Sequence, residues 1–295
     1  MDRARDLERT VICQARSIMS TRQDAPEVDT ALKDTGIWVA VLTSLSKFDE
    51  LEIQGVVNGL LKPMLPDECV QSIYYRASAN VRTMLELKSP GHFRAIGMLS
   101  RSMYELAVDI SIFSMVQGAP IKMRVFLDIE KLRASRTIVV FAQNNPLTLQ
   151  RSVQPQQDYI TNNESRILNL AKSAYPGMKL SDISHWSGLR LGDRIKMLSV
   201  DMQEQYANFY KQLSWSTHSG LEGSYGLKPE TFVHMCGMGY HLAALNYETI
   251  LREVIKAFKI DKADPLKENK MKLARYLPFT ENEEMELALR SELAL

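Results

Sequence analysis

Apolar residues recur at helical spacing along almost the whole chain, and only Thr137–Phe141 clusters β-branched side chains as a strand would. A period of 3.6 sustained in segment after segment, with Pro and Gly confined to the gaps, constrains the chain to a helical fold. Leu7, Val11, Ile12, Ala15 and Ile18 form one stripe, and Leu32, Ile37, Val39, Ala40 and Leu42 form the inward face of a helix over residues 28–48. A third helix spans residues 50–61. Pro66-Asp67-Glu68 then reads as a new helix start, with Pro in the first turn and early negative charge. Long helices follow over residues 92–117 and 121–143, and the neighbours of Thr137–Phe141 favour helix there too. The Gln-rich segment Leu147–Asp158 reads as the main loop, with helix resuming over residues 159–174. A helix or helix pair covers residues 192–217, a Gly-rich connection carries Gly220, Gly223 and Gly226, and a very long helix runs over residues 229–258. The expected fold is all-α, a bundle-like array of long antiparallel helices. Its expected parts are an N-terminal helical segment (1–62), a main domain (63–258) and a C-terminal helical tail (259–295).

Composition narrows the function classes. Lys and Arg number 36 against 35 Asp and Glu. No whole-protein field therefore draws nucleic acid, and net charge does not support such a partner. Cys13, Cys69 and Cys236 are far apart and odd in number, a pattern of reduced thiols rather than of a disulfide framework or zinc site. The charged start MDRARDLERT lacks the apolar run of a secretory signal. Of the two longest apolar stretches, Gly36–Leu45 falls short of the roughly 20 residues a bilayer span needs. Met98–Val116 carries Arg101, Glu105 and Asp109, each expensive at bilayer depth. The expectation is a cytoplasmic protein without a membrane span.

Several chemistries lack their motif. No Gly-Lys-Ser/Thr phosphate loop, His-Glu-x-x-His pair or Gly-x-Ser-x-Gly elbow occurs. Gly237-Met238-Gly239 sits in an apolar helix and reads as close helix packing. His234 and His241 are seven residues apart, about 10 Å along a helix axis, too far to share one metal ion as ligands three or four apart do. Cys236 lies two residues from His234, and such neighbours point different ways. No metal site and no cofactor are expected.

Two polar columns remain. Arg101, Glu105 and Asp109 follow at steps of four on a helix whose other residues are mostly apolar. On a solvent face such a column is worth a few tenths of a kcal/mol. On a helix apolar nearly all round it is buried and needs partners. Tyr206, Tyr210, Ser214 and His218 form the second column, four hydrogen-bonding tips on one curving face. The plainer alternative for these is a helix seam, with His218 capping the helix before the glycines. The simplest way for two such columns to satisfy each other is to face each other, with Trp186 forming part of the wall.

The order of Arg101-x-x-Tyr104-Glu105, the run Phe126–Lys131, Trp186, and Tyr206-x-x-x-Tyr210-x-x-Leu213-Ser214-x-x-x-His218 resembles the bacterial domain-of-unknown-function family numbered 5677 over roughly residues 70–250. The resemblance implies a helical fold and a site built from these columns, and no settled activity. Metal-independent helical ribonucleases of the HEPN type offer an analogy. They set an Arg a few positions before a His on one helix, usually at a dimer seam. Here the basic residue seven before His218 is Lys211, and no Arg precedes a His at such spacing.

Two readings follow. In one, Arg101 clamps a phosphodiester or other anionic substrate, His218 moves a proton, Glu105 orients one of them, and Tyr210 and Ser214 position substrate. Asp109, Trp186 and Tyr206 belong to the surrounding network. In the other, a non-catalytic ligand-binding or assembly protein uses the same groups as a buried polar network that fixes helix register. A homo-oligomer is an expected partner state. The 15 methionines and the helix over residues 228–258 suit a homodimer seam, though core filling is the commoner use.

Overall fold

The computed structural model describes residues 26–60, 62–87, 90–145, 150–217 and 229–260. Outside them lie the stripe at residues 7–18, His218, the three glycines and the C-terminal tail from residue 261. Helix takes 84% of what is described and no strand occurs there, so the protein is all-α, as the periodicity requires. Among the described residues no helix is long and apolar enough to cross a membrane.

The described part divides into two compact units, one formed by residues up to Ser111 and from Leu198 onward, the other by Ile112–Met197. The division falls inside the helix over residues 93–113 and after the turn at 196–197.

The first unit contains α1 (Pro26–Phe48), a π-helical turn (Asp49–Ile53), α2 (Gln54–Asn58), α3 (Leu65–Glu86) and α4 (Phe93–Phe113), whose last two residues belong to the second unit. After residue 197 it continues with α8 (Val200–Gln205), a second π turn (Tyr206–Tyr210), α9 (Lys211–Thr217) and α10 (Pro229–Phe258). α3 starts as its sequence demands. Pro66 stands in its first turn and the Asp67 carboxylate accepts from the Met64 amide at 3.1 Å, satisfying one of the orphan donors of a helix start. Ile73, Tyr74, Ala77, Val81 and Met84 then recur at spacings of one, three and four and face inward.

The 30-residue α10 is the spine of this unit and packs on α1 and α3. Val233, Cys236, Tyr240, Ala243, Tyr247, Ile250, Leu251 and Val254 are buried along it, so the long helix fills a core. The Tyr240 hydroxyl reaches the Met84 and Leu87 carbonyls at 3.0 and 2.9 Å, which stops the C-terminal end of α3 from carrying unpaired acceptors. Gly237 and Gly239 are close-packing residues. A Cβ at Gly237 would stand 2.8 Å from Thr35 Oγ1, and one at Gly239 would stand 2.7 Å from Ile96 Cγ2.

The second unit is a hairpin of α5 (Ala119–Asn144) and α6 (Gln150–Ala174), followed by a turn-rich stretch with α7 (Leu191–Ile195). Gly118, at a φ of 71°, makes the left-handed turn into α5. Val125, Ile129 and Leu132 of α5 pack with Ile167 and Ala171 of α6, Tyr175 and Ile183. Polar ties run along the seam. Ser135 donates to Gln156 at 2.7 Å, Arg136 pairs with Glu164, and Arg166 approaches Asp128 at 3.4 Å. From Asp128–Arg166 to Ser135–Gln156 the numbers rise on one helix as they fall on the other, so the two are antiparallel.

Two local expectations are corrected. The Gln-rich segment is not a loop from end to end: α6 begins at Gln150 and runs through Pro155. Glutamine is a good helix former, and a proline in the second turn removes one backbone bond without displacing a carbonyl deep in the helix. The helix or helix pair expected over residues 192–217 is also not plain: residues 196–199 separate α7 from α8, and a π turn interrupts the run between α8 and α9.

Candidate functional site

The second π turn delivers the aromatic half of the polar columns. A π turn closes on i→i+5 bonds, and its wider circle offsets the drift that residues four apart accumulate on an α-helix. Tyr206 and Tyr210 accordingly stack, with ring centroids 5.2 Å apart and planes at 27°. Tyr104 of α4 packs on both rings, and its hydroxyl donates to the Met202 carbonyl at 2.8 Å. Three aromatic and backbone contacts of Tyr104 therefore fix how α4 meets α8 and the turn after it.

On that platform Arg101, Tyr210 and Glu105 form a relay. The Arg101 guanidinium donates to the Tyr210 hydroxyl at 3.1 Å and lies over the Tyr210 ring at 4.8 Å from its centroid. The same hydroxyl donates to Glu105 Oε1 at 2.7 Å. Tyr210 is buried, while Arg101 and Glu105 are half-buried. Burial raises the Tyr210 pKa, the guanidinium opposes this and the Glu105 carboxylate adds to it, so the hydroxyl keeps its proton. Ser214, one turn on, donates back to the Tyr210 carbonyl at 2.8 Å. Asp109 is half-buried one turn beyond Glu105 on α4, and Lys211 Nζ lies 5.3 Å from the Tyr206 ring centroid. His218 lies outside the described residues. Trp186 belongs to the second unit, where it is buried beside Phe113 and His185 and accepts at its carbonyl from the Tyr175 hydroxyl at 2.8 Å.

Sequence reading missed a second network, deeper than the first. Asp49, only 2% exposed, opens the first π turn. Its carboxylate accepts from Tyr74 at 2.5 Å, Tyr247 at 2.6 Å and Ser78 at 3.2 Å, and Ser78 and Tyr247 also touch at 3.1 Å. Asp49 extends from the end of α1, Tyr74 and Ser78 from α3, and Tyr247 from α10, so one carboxylate ties three helices. Burial raises its pKa, against the pull of the three hydroxyls and of Arg82. The only sequence signal was Tyr74-x-x-x-Ser78 on the buried face of α3.

His241 is a packing residue. Its ring stacks on Trp38 with centroids 3.7 Å apart and planes at 11°, and Phe209 meets its edge at 4.9 Å. Burial lowers its pKa to about 4. A depressed histidine contributes stability that is complete above the unfolded value near 6.5 and is lost as pH falls through the folded value. His241→Phe, which keeps the stack, should therefore flatten the acid limb of melting temperature against pH between about 6.5 and 4, while leaving the plateau above pH 7 nearly unchanged. An acid limb identical to that of the wild type would show that His241 titrates normally. His234 is exposed on the same helix, and the buried Cys236 thiol, pushed up to about 12, is no nucleophile at neutral pH.

Among the described residues no three His, Cys, Asp or Glu side chains gather as a metal site. No family model, curated protein or solved structure matches the chain.

Proposed function

We propose that this is a non-catalytic ligand-binding or assembly protein in which the Arg101–Tyr210–Glu105 relay sets the register of α4 against the segment bearing Tyr206 and Tyr210. What carries the reading is that Arg101, Tyr210 and Glu105 answer one another. The cation of Arg101 is answered by the Tyr210 ring and hydroxyl, and the proton of that hydroxyl by Glu105. Groups that satisfy one another at 2.7–3.1 Å rigidify a helix seam. An incoming anion would have to compete with the guanidinium's existing contacts with Tyr210.

A second reading keeps support from one observation: Arg101 and Glu105 are only half-buried, beside a tyrosine that retains its proton. Metal-independent acid–base chemistry on a phosphodiester or other anionic substrate would use Arg101 as the clamp and His218 as the proton carrier, with Tyr210 and Ser214 positioning the substrate. The resemblance to the helical family named above fits either reading.

A thermodynamic cycle separates them. On the structural reading Glu105→Ala destabilises by about 1–3 kcal/mol, because the Tyr210 hydroxyl loses its acceptor. Arg101→Ala and Glu105→Ala should be non-additive by about 0.5 kcal/mol or more, and the coupling should vanish in Tyr210→Phe. RNA and single-stranded DNA should stay intact, with or without chelator. On the catalytic reading Arg101→Ala and His218→Ala would each abolish cleavage and leave the melting temperature nearly unchanged.

A further inference from the structure

The two units carry opposite charge. Ile112–Met197 has 12 Lys and Arg against six Asp and Glu, whereas the rest of the chain has 24 against 29. A near-neutral whole thus hides one unit of charge +6, and an asymmetry of this size within one chain points to an anionic partner. Most acids of the second unit are already engaged. Arg133–Glu130, Arg136–Glu164, Arg166–Asp128 and Lys196–Asp193 take up four of the six. Asp158 accepts from Gln154 at 2.8 Å and lies about 26 Å along α6 from Tyr175.

The surplus gathers around Tyr175, where α6 ends. Lys122 Nζ lies 5.9 Å from the Tyr175 ring centroid, and the Tyr175 hydroxyl donates to the Lys122 carbonyl at 2.9 Å. Lys172 stands about one turn before the ring on α6. Lys179 follows it, beyond a turn in which the Met178 amide donates to the Tyr175 carbonyl at 3.2 Å. Gly188 lies against the same ring: a Cβ there would stand 3.5 Å from Tyr175 Cδ1. Arg190, next but one in the chain, is thereby brought to the same end of the hairpin. Lys172, Lys179 and Arg190 are exposed and Lys122 is half-buried, and among the described residues none of the four stands in an ion pair. The acid of this neighbourhood that is outside an ion pair is Asp182, which accepts from the Ser181 hydroxyl at 2.9 Å.

We propose that this end of the second unit is a binding surface for the phosphodiester backbone of nucleic acid, recognised by charge and not by base sequence. The inference does not depend on how the polar relay is read, because Arg101, Glu105 and Tyr210 take no part in it. Cations spread over a surface match a chain of phosphates, and each phosphate they neutralise releases condensed counterions. An anionic membrane would answer the same charge, but firm binding there also needs apolar side chains to insert. Over residues 172–196, all of them described, Met178 is the only large apolar side chain that stands exposed, at 37%. The exposed Ser173, Ser181 and Ser184 surround the cations instead, and hydroxyls of this kind donate to phosphate oxygens.

Fluorescence anisotropy with the full chain tests this, on a labelled single-stranded RNA of about 20 nucleotides and a duplex DNA of about 20 base pairs. The wild type should bind both, with Kd of about 1–100 µM at about 50 mM salt. Four phosphate contacts set the slope of log K against log salt near about −2.8 for the single strand and about −3.6 for the duplex. Raising salt from about 50 to about 200 mM should therefore weaken RNA binding roughly fiftyfold. Lys172→Gln, Lys179→Gln and Arg190→Gln together, with an unchanged far-ultraviolet spectrum, should bring the RNA slope to about −0.7. Lys47→Gln with Lys256→Gln, which removes two exposed cations of the first unit, should leave the slope as it is. Binding to neither probe with about 100 µM protein at about 50 mM salt would overturn the proposal. So would a triple variant that keeps the wild-type slope, because the contacts would then lie elsewhere. Capture of the wild type by phosphatidylserine vesicles but by neither nucleic acid would overturn it too, and would make this end a membrane contact.

Discussion

Asp49→Ala is expected to destabilise the fold by about 3 kcal/mol or more and to lower the melting temperature by roughly 6–12 °C. Three hydroxyls, on Tyr74, Ser78 and Tyr247, converge on this one carboxylate, which is only 2% exposed. Removing the acceptor leaves each of them to bear about 1–3 kcal/mol of desolvation, against which stands the relief of a buried charge. The relief is real, because the pKa of Asp49 is raised. A carboxyl whose folded pKa lies above its unfolded value near 3.8 contributes most below that value and loses the contribution as pH rises through the folded one. Asp49→Asn keeps an acceptor and removes the titration. Its stability relative to wild type should improve as pH is raised above about 4, opposite in sign to the trend set by His241. Chemical denaturation at several pH values measures both. An Asp49→Ala protein as stable as wild type would mean that the three hydroxyls find other acceptors.

What the sequence made legible divides along physical lines. Periodicity reports which face of a helix is buried, so α10 could be read to its ends and the two glycines could be read as close packing before any contact was known. Capping chemistry is equally local, and Pro66-Asp67-Glu68 marked the start of α3 for that reason. A π turn leaves no such trace. One wider turn shifts the apolar pattern by about as much as the ordinary scatter of side chains, and both polar networks sit on such turns. The column from Tyr206 to Tyr210 was visible because a spacing of four reads as helix either way. Asp49 was not, because its partners lie 25, 29 and 198 residues away and nothing in a single sequence joins them. The Gln-rich segment failed for a different reason: polar composition and one proline resemble a loop, yet a helix tied to its neighbour by Ser135–Gln156 and Arg136–Glu164 needs little apolar surface at that end. The helix propensity of glutamine, which a count of polar residues hides, and these ties to α5 act in the same direction.

Gly239→Leu should lower stability by about 3 kcal/mol, comparable to the loss of the buried carboxylate though its cause is steric. Gly239 is buried, and a Cβ placed there would meet Ile96 Cγ2 at 2.7 Å and Ser100 Oγ at 3.0 Å. The first of these atoms is a β-branched methyl on α4, held by its own backbone, and it cannot swing aside as the end of a long side chain could. Accommodation must therefore come from moving α10 away from α4, which opens the contacts on either side of the glycine. Two opposing terms set the size of smaller changes. Gly to Ala in a helix gains about 1 kcal/mol of propensity, and overpacking costs about 1–3, so Gly239→Ala should lose about 1 kcal/mol net. At Gly237 the obstacle is Thr35 Oγ1 at 2.8 Å, a hydroxyl that donates to the Val233 carbonyl at 3.3 Å. In a helix threonine divides between two χ1 rotamers where isoleucine keeps one, so Gly237→Ala should cost less than Gly239→Ala. Denaturant melts of the three variants should give the order Gly239→Leu, Gly239→Ala, Gly237→Ala from most to least damaging. A Gly239→Leu protein more stable than wild type would show that propensity dominates and that the helices at this crossing have room to part.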